Sequence, residues 1–402
     1  MIMPRLAENL LCTGCSACAS ACPKGCIQMK ADAEGFLYPD VEETSCVNCG
    51  KCTKVCPVLS FHAQSAAGFP VAYAAFHQEN EILYRSSSGG VFTALAERVI
   101  EDGGTVYGAA FRKDFSVAHM RAEMLDEIAV FRGSKYVQSD CSNVFVSAKQ
   151  DLEKNRPVLF SGSPCQIAGL RQFLGKDYEK LLLVDTTCHS VPSPKAWAKF
   201  LTDTESQHNS KICSVNFRDK RTGWEKYQMC IQMEDGQELL YPANQNLYMK
   251  AFIQSLISRK SCANCVFKGP NRAADITLSD FWGVQTAFPE AYQKEGTSLV
   301  LVHSRKGQEA FTKVSAQLDV KNVDATAAFQ GNPAYYRSSL PHPRRDEYFE
   351  EMDHQPFAKL VEQCLAPTPK EIARMKLERS LPYRAVRKLK RILLGVCKSG
   401  EK

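Results

Sequence analysis

A chain of 402 residues, 44% hydrophobic and 23% charged, has the mass for two or three units and the composition of an ordinary soluble globular protein. A net charge of +6 is too mild to imply a nucleic-acid partner, and 18 cysteines are too many for an enzyme that binds no metal. The N-terminus has no signal-peptide pattern and no window approaches a membrane span, so a disulfide framework is not expected. Metal-holding thiolates in a cytoplasmic, low-oxygen (anaerobic) setting are.

The first element is "CTGCSACASACP", with Cys12, Cys15, Cys18 and Cys22; "CVNCGKCTKVCP" repeats it with Cys46, Cys49, Cys52 and Cys56. Both follow the two-cluster ferredoxin spacing, in which three thiolates wrap one cube and the fourth reaches the other. Cys12, Cys15, Cys18 and Cys56 are therefore expected on one [4Fe–4S] cluster, and Cys46, Cys49, Cys52 and Cys22 on a second. Paired zinc knuckles are the alternative, but zinc explains neither four cysteines per run nor the proline after each last one. Between the runs, "CIQMKADAEGFLYP" reads as a hairpin turning near Ala33–Gly35, with Cys26 as a packed thiol.

Ser60–Pro70 reads as a linker. Beyond it, strands and helices alternate: strand 71–76, helix 89–103, strand 105–111, helix 143–155, strand 157–160, helix 164–174, strand 181–185 and helix 192–201. Strands are expected near 212–218, 226–233, 275–279 and 298–303, and helices near 245–259 and 307–317. The alternation predicts α/β (α+β) architecture with a partly parallel sheet, mixed because 211–241 reads as antiparallel.

Three later cysteine sites share a setting. "SGSPCQ" puts Cys165 at a helix N-terminus, with Pro164 at the first helical position, where the dipole favours a thiolate. Cys188 follows a buried strand, and Cys262 and Cys265 form a C-x-x-C before another. These four match the number one [4Fe–4S] cube needs, and loops leaving neighbouring strands converge in space. The alternative is two core thiols and a small zinc clip. The remaining six cysteines (26, 141, 213, 230, 364 and 397) read as non-ligands.

"RSSSGGVFTAL" sets Ser87, Ser88, Gly89 and Gly90 before a helix, a pattern that suits either a phosphate, with Arg85 as counter-charge, or an ordinary N-cap. "GSKYVQS" supplies Ser134, Lys135 and Tyr136. Lys135 would stabilise a reduced flavin or else be a surface lysine. His189 would relay a proton or tune the cluster, or simply pack. Lys135 and His189 are thus the two catalytic candidates. Arg272 and Asp275 read as an ion pair or a cofactor contact. No G-x-G-x-x-G follows a strand, so a Rossmann NAD site is not predicted.

In order, "SSSGGVFTALAERVIEDGGTVYGAAF", "RGSKYVQS", "GSPCQIAGLRQFL", "DTTCHSVPSPKAW", "VNFRDKRTGW", "SCANC" and "DITLSDFWG" resemble the coenzyme F420 hydrogenase/dehydrogenase beta-subunit family, from about residue 8 to about 340. The resemblance implies an iron–sulfur flavoprotein oxidoreductase in which Cys165, Cys188, Cys262 and Cys265 hold a third [4Fe–4S] cluster beside FAD. It also places the 87–90 and 134–136 segments in the FAD pocket. It divides the chain into a ferredoxin-like part (1–60), two parts of a flavin domain (61–150 and 151–340) and a basic helical tail (341–402). The expected partners are ferredoxin or another redox protein and a coenzyme F420-type or other small organic acceptor. A non-catalytic electron-transfer subunit and a zinc scaffold are the competing readings. The tail, with Arg384, Arg387, Lys388, Lys390 and Arg391 among apolar residues, suits peripheral contact with an anionic membrane, an acidic partner, or its own domain.

Overall fold

The structure is a computed structural model that describes residues 6–60, 70–270, 272–367 and 372. The predicted hairpin is β1 (Ile27–Ala31) against β2 (Leu37–Val41), antiparallel. The Asp32 carboxylate closes its turn by accepting from the Glu34 and Phe36 amides at 3.0 and 2.8 Å.

The strands that follow are β3 (Val71–His77), β4 (Thr105–Phe111), β5 (Val117–Ala122), β6 (Val158–Gly162), β7 (Leu181–Thr186), β8 (Ile212–Asp219), β9 (Gln228–Met233), β10 (Glu238–Pro242), β11 (Ile276–Asp280), β12 (Ser298–Val302) and β13 (Leu318–Val323). Eight form one sheet in the order β13-β3-β12-β11-β7-β6-β4-β5. Its centre, β11-β7-β6-β4, is parallel, and antiparallel strands flank it on both sides. The 61–150 and 151–340 segments therefore share one sheet.

Central strands carry continuous apolar runs because both faces are covered. The Val91–Glu101 helix packs Val91 and Leu95 with Val106, Leu159, Val184 and Val300. A second cluster joins Phe145, Ile167 and Leu170 to Phe160 and Leu183, and takes in Cys15 and Ala17, which seats the cysteine-rich N-terminal segment there.

Several expectations need correction. Strands β8, β9 and β10 form a separate three-stranded antiparallel sheet rather than part of a mixed one. That sheet packs on a third core of Trp197, Phe217, Tyr248, Phe252, Tyr348 and Phe357. The helix expected over 245–259 stops at Ile253, and the one expected over 192–201 runs from Pro194 to His208. Strands β5 and β13 were not predicted: each is short and lies at a sheet edge, where pairing rather than composition decides. The basic run from Arg384 and Cys397 lie outside the described residues, as does most of the expected linker. No helix among the described residues is long and apolar enough to cross a membrane.

One buried group makes the fold acid-sensitive. His119 is buried; its Nε2 donates to the Ser161 carbonyl at 2.8 Å and its Nδ1 meets the Ser139 hydroxyl at 2.7 Å. Burial pulls its pKa from 6.5 to about 4. The unfolded chain therefore takes up the proton first as pH falls. This stabilisation is complete above pH 6.5 and is lost on the way to pH 4, about 3 kcal/mol in all. Thermal unfolding at pH 7.5 and 5 should show a smaller acid loss for His119→Gln than for the parent.

Candidate functional site

The twelve cysteines expected to bind metal sort into three cavities. Cys12, Cys15, Cys18 and Cys56 line one of about 370 Å³. Cys22, Cys46, Cys49 and Cys52 line a second of about 320 Å³. Cys165, Cys188, Cys262 and Cys265 line a third of about 480 Å³. The exchange of fourth cysteines is visible: Cys56 faces the first run and Cys22 the second. Among the described residues no three His, Cys, Asp or Glu side chains converge as a single-ion site would require. Thiols around a mononuclear zinc would crowd one point at about 2.3 Å from it; here they rim a void, the arrangement a cube needs.

The donor sets fit such a group in other ways. Burial pushes Cys18 and Cys262 up to about 12, and pushes Cys15, Cys165 and Cys188 upward too. Desolvation thus outweighs the helix N-terminus at Cys165, contrary to the expectation that the dipole decides. Thiolates here require a bound cation to compensate them. Two polar atoms in the third cavity, Ser261 Oγ and Arg272 Nη2, are buried without a hydrogen-bond partner, and so is Ser16 Oγ in the first. Donors of this kind suit the sulfurs of a cluster.

The third cavity is assembled from distant segments. Ser163 and Gln166 cap the Pro164–Leu174 helix: the Ser163 amide donates to Gln166 Oε1 at 2.9 Å. This fixes Cys165 in its first turn, just beyond β6. Cys188 follows β7, the parallel neighbour of β6. Cys262 and Cys265 do not leave a strand of the sheet as expected; they flank the end of a 3-10 turn (Lys260–Asn264). β11 enters the sheet late, with Ile276 opposite Val184, so the segment before it hangs over the end of β7. Asp275 holds it there, accepting from the Leu183 amide at 2.9 Å. The expected Arg272–Asp275 pair is absent among these residues: Arg272 pairs with Asp185 at 3.1 Å, both side chains 1% exposed.

The first and third cavities adjoin. Thr13 lines both. Arg259 lines the third while its Nε donates to the Cys12 carbonyl at 2.8 Å. Cys15 rests on Gly169, one helical turn beyond Cys165; a Cβ there would lie 2.9 Å from Cys15 Sγ. Gly169→Val should accordingly displace Cys15. Iron analysis is expected to report loss from the N-terminal segment, about 4 atoms per chain, while Gly175→Ala, an open position, keeps full iron.

The two flavin-candidate segments meet. Ser134 N donates to Ser87 Oγ at 2.7 Å, and the two hydroxyls are 2.9 Å apart. Ser88 donates to the Thr297 carbonyl and Gly89 N to Ser298 Oγ, at 2.8 and 2.9 Å. Gly89 is required sterically, since a Cβ would lie 2.3 Å from the Ala75 carbonyl. Gly90, at φ +80°, starts the Val91–Glu101 helix. Lys135 donates to the Val130 and Arg132 carbonyls, and desolvation lowers its amine to about 7. Arg85 pairs with Glu81 on the surface instead of turning to this site. Tyr136 stacks on Phe252 at 4.8 Å, and Phe252 meets the His189 ring at 5.2 Å. His189, in contact with the Ser255 and Ser339 hydroxyls, lines the third cavity. Tyr136, Phe252 and His189 thus run from the flavin-candidate segments to the third thiol set.

Of the cysteines set aside, Cys26 is not simply a hairpin thiol: it lines the second cavity, 3.3 Å from Cys22 Sγ. Cys141 is buried beside His119 and Gln166, Cys364 is in the core, and Cys213 is exposed. Sequence reasoning passed over Arg259, Lys268 and Arg218. The first two were legible as basic residues flanking the C-x-x-C; Arg218 acquires its meaning only through folding.

Residues 155–326 match the C-terminal part of the coenzyme F420 hydrogenase/dehydrogenase beta subunit, and residues 11–59 match the 4Fe-4S dicluster domain. The chain joins a 4Fe-4S dicluster domain to the beta-subunit module of the coenzyme F420 hydrogenase/dehydrogenase family. This beta-subunit-type chain is 23% identical over 194 residues to the F subunit of the F420H2 dehydrogenase of Methanosarcina mazei, covering 45% of this chain and 54% of the relative. It is 29% identical over 174 residues to the coenzyme F420-dependent sulfite reductase of Methanocaldococcus jannaschii, covering 42% and 26%. It thus spans about half the length of the first relative and about a quarter of the second. A chain of the F420-reducing [NiFe] hydrogenase complex of Methanosarcina barkeri superposes with a TM-score of 0.44 at 19% identity, over 75% of this chain and 94% of that one.

Proposed function

We propose that this chain is an iron–sulfur flavoprotein subunit of an oxidoreductase, holding three [4Fe–4S] clusters and FAD and exchanging hydride with coenzyme F420 or another two-electron organic acceptor. The observation that carries this reading is the sorting of twelve cysteines into three four-thiol cavities. When bound, such clusters carry single electrons, and a flavin converts them to hydride transfer.

The protein's own residues do the positioning. The set with exposed Cys49 lies outermost and offers access to ferredoxin or another redox protein. The Cys12 set adjoins it and, through Thr13 and Gly169, the Cys165 set. Ser87, Ser134, Lys135 and Tyr136 would face the flavin, with the Lys135 amine beside its reduced form. The division at residues 60, 150 and 340 and a role for His189 in proton relay belong to the same proposal.

A second reading has one observation in its favour. The Gly89 amide and Ser88 hydroxyl are already engaged with Ser298 and Thr297, which suits a flavin-free electron-transfer subunit. Anaerobic purification with iron and flavin counts separates the two. About 12 iron atoms with one FAD per chain supports the flavoprotein. The same iron without flavin supports the transfer subunit, and about 8 iron atoms removes the third cluster.

A further inference from the structure

The three thiol sets differ in their charged surroundings. Among the described residues, three cationic side chains, Arg259, Lys268 and Arg272, line the Cys165 cavity, and no carboxylate does. Among the same residues, no charged side chain lines the Cys12 cavity, which is enclosed by Leu6, Met29, Pro39, Val58 and small residues besides its cysteines and prolines. The Cys22 cavity has Lys24 on its wall.

The cations of the third cavity are fixed. Lys268 Nζ donates to the Cys188 and Ala334 carbonyls at 2.5 and 2.8 Å. Arg259 is 2% exposed and is held by the Cys12 and Leu37 carbonyls and Gln138. Arg272 packs on the Tyr335 ring and pairs with Asp185 on one side, leaving Nη2 buried without a partner. Asp185 offsets much of the Arg272 charge, so Arg259 and Lys268 supply most of the net field.

Resting on the three-cluster reading, we infer that these cations make the group held by Cys165, Cys188, Cys262 and Cys265 easier to reduce than its enclosed neighbour at Cys12, Cys15, Cys18 and Cys56. Reduction adds one negative charge to a four-thiolate cluster. Burial alone opposes that charge equally in both enclosed cavities. Fixed cations in a poorly screened interior favour it, and only the third cavity has them among the described residues. An electron delivered to the N-terminal sets then comes to rest at the third, the one joined to Tyr136 through His189 and Phe252.

The test is an anaerobic redox titration of the whole protein followed by electron paramagnetic resonance, with Cys188→Ala identifying the third cluster by the signal it removes. That signal should have a higher midpoint than that of the Cys12 set, identified with Cys15→Ala. Lys268→Met should lower it by at least tenfold in the reduction equilibrium, 59 mV for one electron, with the other two midpoints unmoved. Lys268→Arg should restore it. A third-cluster midpoint below that of the Cys12 set in the parent protein overturns the inference, whatever the variants do. So does a Lys268→Met protein with full iron and an unmoved midpoint. An iron count of about 8 in the parent protein would instead remove the three-cluster reading beneath it.

Discussion

Cys188→Ala is expected to lower the iron content from about 12 to about 8 atoms per chain, leaving the signals of the two N-terminal clusters in place. The same loss is expected for Cys165→Ala, because the two residues leave adjacent parallel strands and rim one cavity. A cube held by three thiolates loses part of the compensation that keeps the buried Arg259 and Lys268 tolerable. Thermal stability should therefore fall together with the iron. Cys213→Ala, at an exposed site on β8, is the matched control and should leave both unchanged. If Cys165 and Cys188 were core thiols beside a zinc clip, the iron count would be about 8 from the start and indifferent to either change.

Arg218→Ala is expected to give the largest loss of folding stability, about 3–5 kcal/mol. The Arg218 side chain is 2% exposed and forms a two-pronged pair with Asp280 at 2.8 and 3.0 Å. Its other contacts are the Ser87 carbonyl, the Tyr136 hydroxyl and the Tyr227 ring. The pair ties β8 of the small sheet to β11 of the large one, and its removal leaves Asp280 and Tyr136 without their donor. Chemical denaturation measures the loss. Arg218→Ala combined with Asp280→Ala should recover part of it, since the double variant no longer leaves a charge unpaired. Because Ser87 and Tyr136 belong to the flavin-candidate segments, flavin retention should fall in Arg218→Ala as well.

What was legible before folding followed from local spacing. Helical and strand periodicity located β3, β4, β6, β7, β11 and β12 within a residue or two, because these are buried central strands with strong apolar runs. The edge strands β5 and β13 were missed because their residues gain from pairing rather than from burial on both faces. Helix ends proved less readable. The Leu247–Ile253 helix ends early, and Ser255, two residues on, takes a left-handed conformation at φ 58°.

The sequence by itself determined the cysteine chemistry: the doubled spacing in 12–22 and 46–56 and the convergence of Cys165, Cys188, Cys262 and Cys265 needed only short-range pattern and counting. Tertiary structure alone decided what surrounds each set. Gly169 was an unremarked helix glycine until Cys15 was found resting on it. Arg259 and Lys268 were ordinary basic residues until their placement made one of two enclosed cavities cationic. Cys26 was outside the motif until the hairpin returned it to the wall of the second cavity. Spacing along a chain can name ligands, because their reach is set by a few bonds. It cannot name the charges and contacts that tune them, because those arrive from segments hundreds of residues apart and are fixed only when the sheets pack.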